Sequence, residues 1–206
     1  MKERLVYGTV LAVVLAGLCV AAPKPAILQG PGLWTLQVTF EHPQQIVVGQ
    51  GRYWYMIMSV INRTGQDIEF HPKCDLMTDT FQIVPAGRRV PAAVFQQIKQ
   101  RHAAAYPFLE LLDATDSRFL QGEDNAKDLA IIWPDFDLQA TSFQVFMTGL
   151  SNETVVVQHP MAVDETGRPL QIFLRKTLEL NYTLHGDPTI RSAVQIVYDG
   201  QSWVMR

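Results

Sequence analysis

Trp34-Thr35-Leu36-Gln37-Val38-Thr39-Phe40-Glu41 alternates apolar and polar residues without a break. A two-residue period is the mark of a β-strand with one face on a core and the other on solvent. The next run, Tyr53 to Ile61, is aromatic and β-branched with few polar interruptions, and Asn62-Arg63-Thr64-Gly65 then supplies turn chemistry before Ile68 to Phe70. This pattern predicts a hairpin between two sheet strands, with Gly65 at a positive φ that a side chain would make costly. Tyr53, Trp54 and Tyr55 point alternately to opposite faces, so the three rings cannot share one core. One face of that strand is expected either beneath a helix or exposed as an aromatic patch for binding.

Outward from these strands the period changes. From Pro91 to Ala105, Val94, Phe95, Ile98 and His102 fall on one helical face and Gln96, Gln97, Lys99 and Gln100 on the other. Pro91 suits the first turn of this helix and Pro107 prevents its continuation. Residues 106–132 read as an insertion with little regular structure, because Phe108 to Leu112 is short and Ser117 to Asp128 is largely polar. Strand periodicity returns at Ser142 to Thr148, at Thr154 to Gln158 and at Lys176 to Leu184. In the last of these, Leu178, Leu180, Tyr182 and Leu184 are expected inside and Thr177, Glu179, Asn181 and Thr183 in solvent. Val194, Ile196 and Tyr198, an Asp199-Gly200 turn, and Trp203-Val204 predict a closing hairpin. Roughly seven to nine strands without an alternating βαβ pattern predict a mainly β, immunoglobulin-like antiparallel β-sandwich with one inserted α-helix. The expected domain is 33–206, its insertion spanning about 91–133.

At the other end, Leu5 to Ala22 is an uncharged stretch of 18 residues that follows Lys2 and Arg4, the layout of a secretory leader. The expectation is an exported protein, periplasmic or extracellular. Residues 1–22 are a signal peptide cut near Ala21 or a membrane anchor, and residues 23–32 are a tether. The membrane is expected to be met only through this segment. Cys19 goes with the leader, so Cys74 is left without an internal partner and is expected to pack as a small hydrophobe. Removing Lys2, Glu3 and Arg4 leaves 15 basic and 19 acidic side chains, a net charge of −4. The basic residues are scattered and Arg88-Arg89 is too short a footprint for a phosphate backbone, which argues against nucleic acid.

Three groups of residues invite a chemical reading. Glu123, Asp124 and Asp128 form an acidic stretch of the kind that hard cations such as calcium require, although the spacing is not that of an EF-hand loop. Trp133-Pro134-Asp135-Phe136-Asp137 mixes rings and carboxylates. Trp133, Asp135 and Asp137, with Trp54, are candidate ligand or partner contacts. Such a segment would equally staple the insertion to the sandwich. His71, Cys74 and Asp75 have ligand-like spacing but lack the second local pair of a structural zinc site. No nucleophile elbow, Ser-x-x-Lys pair or phosphate-cradling glycine loop is present, so no catalytic residue is assigned. Asn62, Asn152 and Asn181 sit in Asn-x-Thr sequons.

The segment Tyr53 to Phe70 resembles the hairpin of immunoglobulin-like domains in exported bacterial proteins. Leu76 to Thr80, Val94 to Lys99, Gln121 to Asp128 and Ile132 to Asp137 are similar to segments of exported proteins of planctomycete-type bacteria. The resemblance spans most of 33–206. It implies compartment and fold, and it brings no activity or binding residues. The expected function is therefore a non-catalytic binding or structural module acting through a protein or cell-envelope partner. A carbohydrate-binding or metal-supported accessory domain of an extracytoplasmic hydrolase system is the alternative.

Overall fold

In the computed structural model, residues 26–27, 32–187 and 190–206 are described. The expected leader, Cys19 and most of the tether lie outside them. Among the described residues, no helix is long and apolar enough to cross a membrane. Among the described residues the protein is mainly β, with several sheets and one α-helix. It divides into two compact units. The larger comprises Ile27–Val155 with Leu174–Arg206, and the described part of the smaller is Ala26 with Val156–Phe173.

Two neighbouring strands organise the larger unit, β4 (Gly51–Asn62) and β10 (Gly122–Pro134), paired antiparallel with Trp54 opposite Trp133 and Met58 opposite Leu129. Both are apolar on both faces where they are buried. Trp54, Met56, Met58 and Val60 of β4, with Leu129, Ile131 and Trp133 of β10, turn inward to a core shared with a second sheet. Tyr55 and Ile57, with Ala130 and Ile132, turn the other way onto Val94 and Ile98 of helix α1 (Ala92–His102). Burying such a side chain contributes about 1.5–3 kcal/mol, so each face needs a cover. The helix supplies one, which realises the first of the two expectations for this strand.

β2 (Gln37–Phe40) and β3 (Gln44–Val48) pair with β4, and β8 (Glu110–Leu111) runs parallel to β10. Within the larger unit the facing sheet runs in the order β13 (Pro169–His185), β11 (Ser142–Thr148), β6 (Lys73–Thr78), β7 (Ile83–Pro85), and β14 (Gln195–Met205) also pairs with β13. Leu76, Val145, Met147, Leu178 and Leu180 are its contribution to the shared core, a sandwich-like arrangement.

Several expectations are corrected. β5 (Ile68–Glu69) does not form a hairpin with β4; it pairs with β9 (Arg118–Phe119). Both edges of β4 are already occupied, by β2 and β3 on one side and β10 on the other. Asn62 is fully buried in the crossing. Its Nδ2 donates to Gln66 O and Phe119 O, both at 2.9 Å, and its Oδ1 accepts from Thr64 N and Oγ1. Gly65 takes φ +86°, as the turn requires.

Residues 106–132 are not a loose insertion, since those from Gly122 onward build β10. That strand shows no period because its first half, Gly122 to Ala126, is exposed on both faces and its second half, Leu129 to Trp133, is buried on both. The closing hairpin is instead one strand, β14. Its pairing slips by one residue between Asn181 and Tyr182, which makes Asp199 the extra residue of a β-bulge beside Gly200 at φ +118°. Thr177 is buried rather than solvated and donates its hydroxyl to Arg175 O at 3.0 Å. Pro91 is the residue capping α1, one position before its first turn.

In the smaller unit, β12 (Thr154–Val163) is five residues longer than the expected Thr154 to Gln158. It turns into β13 through Asp164 to Arg168, where Asp164 Oδ1 accepts from Thr166 N (2.8 Å), Thr166 Oγ1 (2.7 Å) and Arg168 N (3.0 Å). β1 (Ala26–Ile27) stands beside β12 in the sheet order.

Candidate functional site

The pair Trp54 and Trp133 offers no ring face to a ligand, because both are wholly buried. Trp54 instead acts from within. Its Nε1 donates to Asp135 Oδ1 at 2.8 Å, and its ring lies 5.4 Å from the guanidinium of Arg191. Phe136 is closer to that guanidinium, at 4.5 Å, and its ring is 5.0 Å from Trp54. Arg191 is only 3% exposed. Its Nε donates to Asp135 Oδ1 at 3.4 Å and its Nη2 to Asp137 O at 3.0 Å, whereas Nη1 is buried without a partner among the described residues. The segment Trp133 to Asp137 thus staples the end of β10 to the chain around Arg191. Arg191 itself carries no sequence signal, being a lone arginine in a short 3-10 turn.

All three bonds to Asp135, including one from Phe136 N, fall on Oδ1. Its Oδ2 accepts no hydrogen bond from a described residue. Asp137 faces outward; the Thr80 hydroxyl and then Gln139 N hold its carboxyl below the usual range, and burial opposes them weakly.

The acidic trio does not converge. Glu123 pairs with Arg63, Asp128 accepts from Ser59 Oγ at 2.5 Å, and Asp124 is exposed on β10 without a bond to a described residue. Among the described residues no group of three or more His, Cys, Asp or Glu side chains is placed to hold a metal ion. His71 turns to Glu69 at 3.5 Å, away from any zinc-like set. Cys74 is buried, and burial first, then the charge of Asp75, pushes its thiol well above the ordinary value.

Two surface features stand apart from these residues. A cavity of about 440 Å³ is lined by Phe108, Glu110, Asp116, Arg118 and Lys127, but its cations are paired within the fold, Lys127 on Glu110 and Arg118 on Asp67, each at 3.1 Å. The hairpin of the smaller unit is different in kind. Met161 is 89% exposed, Val163 62% and Phe173 56%, with Leu170 and Ile172 also open. Met161 and Val163 share one side of β12, and Leu170 and Ile172 share one side of β13. The sequence signal was present in an uncharged, apolar β12, but periodicity alone does not tell an exposed apolar strand from a buried one.

No family model, curated protein or solved structure matches this chain.

Proposed function

We propose that this is an exported, immunoglobulin-like module without catalytic chemistry, which works by holding a protein partner at the cell envelope through the hairpin Val156–Phe173. The observation that carries the reading is the open apolar surface of that hairpin. Ten residues of β12, from Thr154 to Val163, contain no charged side chain. Long sheet edges are ordinarily blunted by lysines, prolines or a covering element; β12 carries one proline, Pro160, and no lysine, and an edge otherwise left apolar is suited to receive another strand. Among the described residues, the two of β1 stand beyond β12 in the sheet order. Export rests on the leader at Leu5 to Ala22, and the sandwich-like packing of two sheets is what the chain shares with immunoglobulin-like domains.

A photo-crosslinking amino acid placed at Met161 or Phe173 in the producing cell tests the contact, with Gln121 as an exposed position elsewhere. The expected result is one adduct of defined mass at both hairpin positions and none at Gln121, lost when Val163 is changed to Glu. An adduct of two chains would make the partner a second copy. Equal labelling at all three positions, or monomer alone, refutes the reading. A phosphatase fused after residue 32 should be active only outside the cytoplasm.

A further inference from the structure

β7 is the last strand of its sheet. Ala86 N donates to Cys74 O at 2.8 Å and Thr78 N to Gln82 O at 2.9 Å. Because bonded positions alternate along an antiparallel pair, Val84, opposite Leu76, turns its backbone groups to β6. Ile83 and Pro85 therefore turn theirs to the open edge. A cavity of about 340 Å³ lies on this segment, lined by Gln82–Pro85 in succession and by Arg88, Arg89, Pro134 and Asp135. That volume is near the lower end of the ligand-cleft range, roughly 300–1,000 Å³.

The charges here are open, unlike those of the larger cavity. Arg88 and Arg89 are both exposed, and neither makes an ion pair or hydrogen bond with a described residue. Asp135, the one carboxylate in the lining, is already countered by the buried Arg191. Its free Oδ2 is an acceptor for a neutral donor, and the cleft keeps a surplus of positive charge. Ile83 and Pro134 supply apolar surface between these groups.

We propose that this cleft receives an extended acidic peptide segment, which adds a short strand to β7 and presents a carboxylate to Arg88 and Arg89. A carboxylate fits the parallel N–H donors of a guanidinium fork, and the outward-turned backbone groups of Ile83 are what strand addition needs. No aromatic ring lines the cleft, which leaves a saccharide without a stacking platform. The site shares no residue with the hairpin Val156–Phe173, so either contact can fail alone.

The test titrates the full chain with an acetylated, amidated Val-Glu-Val-Glu-Val peptide, its Gln-for-Glu counterpart, and oligogalacturonate, following Ile83 amide exchange by NMR. The expected result is a preference of about tenfold or more for the Glu peptide over the Gln peptide, the scale of one charge-assisted contact. Slowed exchange at Ile83 should accompany it. Arg88→Ala with Arg89→Asn should abolish the preference; asparagine tolerates the left-handed φ of +60° at position 89. Arg63→Ala, at an exposed arginine in the turn after β4, should leave it intact. Equal affinity for the two peptides, no binding of either at millimolar concentration, unchanged exchange at Ile83, or tighter binding of oligogalacturonate would each overturn the proposal.

Discussion

Replacing Asn62 by Ala should destabilise the protein by about 3 kcal/mol, far more than is usual for a polar residue in a turn. The magnitude follows from four bonds made by one buried side chain. Nδ2 serves Phe119 O and Gln66 O, and Oδ1 serves Thr64 N and Oγ1. Phe119 is fully buried, so the bond to its carbonyl, which the ladder with Ile68 also engages, counts at the upper end of a net hydrogen bond, about 1.5 kcal/mol. The other three count for less, about 0.5 kcal/mol each, because Gln66 O keeps the Thr64 hydroxyl at 3.0 Å and Thr64 N is within reach of water. In a chain of this size about 3 kcal/mol corresponds to a fall in Tm of roughly 6–12 °C. Urea unfolding followed by tryptophan fluorescence measures the change. Asn62→Asp should be no better than Ala, since it turns an oxygen toward two carbonyls. Asn152→Ala is the control, a second sequon asparagine with an exposed side chain bonded to Trp34 N and Gly32 O, and should cost less than about 1 kcal/mol. If Asn62→Ala lies within about 0.5 kcal/mol of the parent, or matches Asn152→Ala, the bonding argument for this crossing is refuted.

Four further outcomes are expected. Gly149→Ala should lose roughly 2 kcal/mol or more in the same assay, because φ is +87° and a Cβ would meet His71 O at 2.7 Å and Pro72 Cα at 3.0 Å, both backbone. Burial pushes the Asp79 carboxyl up, but hydrogen bonds from Thr141 Oγ1 and N outweigh it and leave the group below 3.8. A lowered folded value means that this stabilisation is present above 3.8 and lost as pH falls through the folded value, so acid unfolding of Asp79→Asn should show a shallower pH slope there. The hydrogen bond from Tyr106 to Glu41 at 2.7 Å, with burial second, raises that phenol from 10.0 to about 12. Its contribution is complete below 10.0 and lost as pH rises through about 12, and Glu41→Gln should bring the ultraviolet titration of Tyr106 back toward 10.0. Cys74 should resist a thiol reagent in the native protein and react once urea unfolds it; fast native labelling would contradict its burial.

Wherever an element has one face wet and one dry, the sequence by itself determined it. Trp34 to Phe40, the α1 face of Val94 and Ile98, and Leu178 to Leu184 could all be placed from period alone, because burial on one side writes a period into the chain. β10 broke that rule twice along one strand, being wet on both faces at Glu123 and dry on both at Ile131, so no alternation was left to read. Strand partners were also beyond local pattern. Turn chemistry at Asn62 to Gly65 announced a reversal correctly, but whether Ile68 would return to β4 depended on β4 having a vacant edge, and β10, sixty residues on, had filled it. The same holds for function. Asp135 and the adjacent Arg88 and Arg89 were visible in the sequence as charges, while Arg191 was unremarkable there. Which of these charges are neutralised within the fold and which stay open to a partner is an electrostatic question about distance, and only the tertiary structure sets those distances.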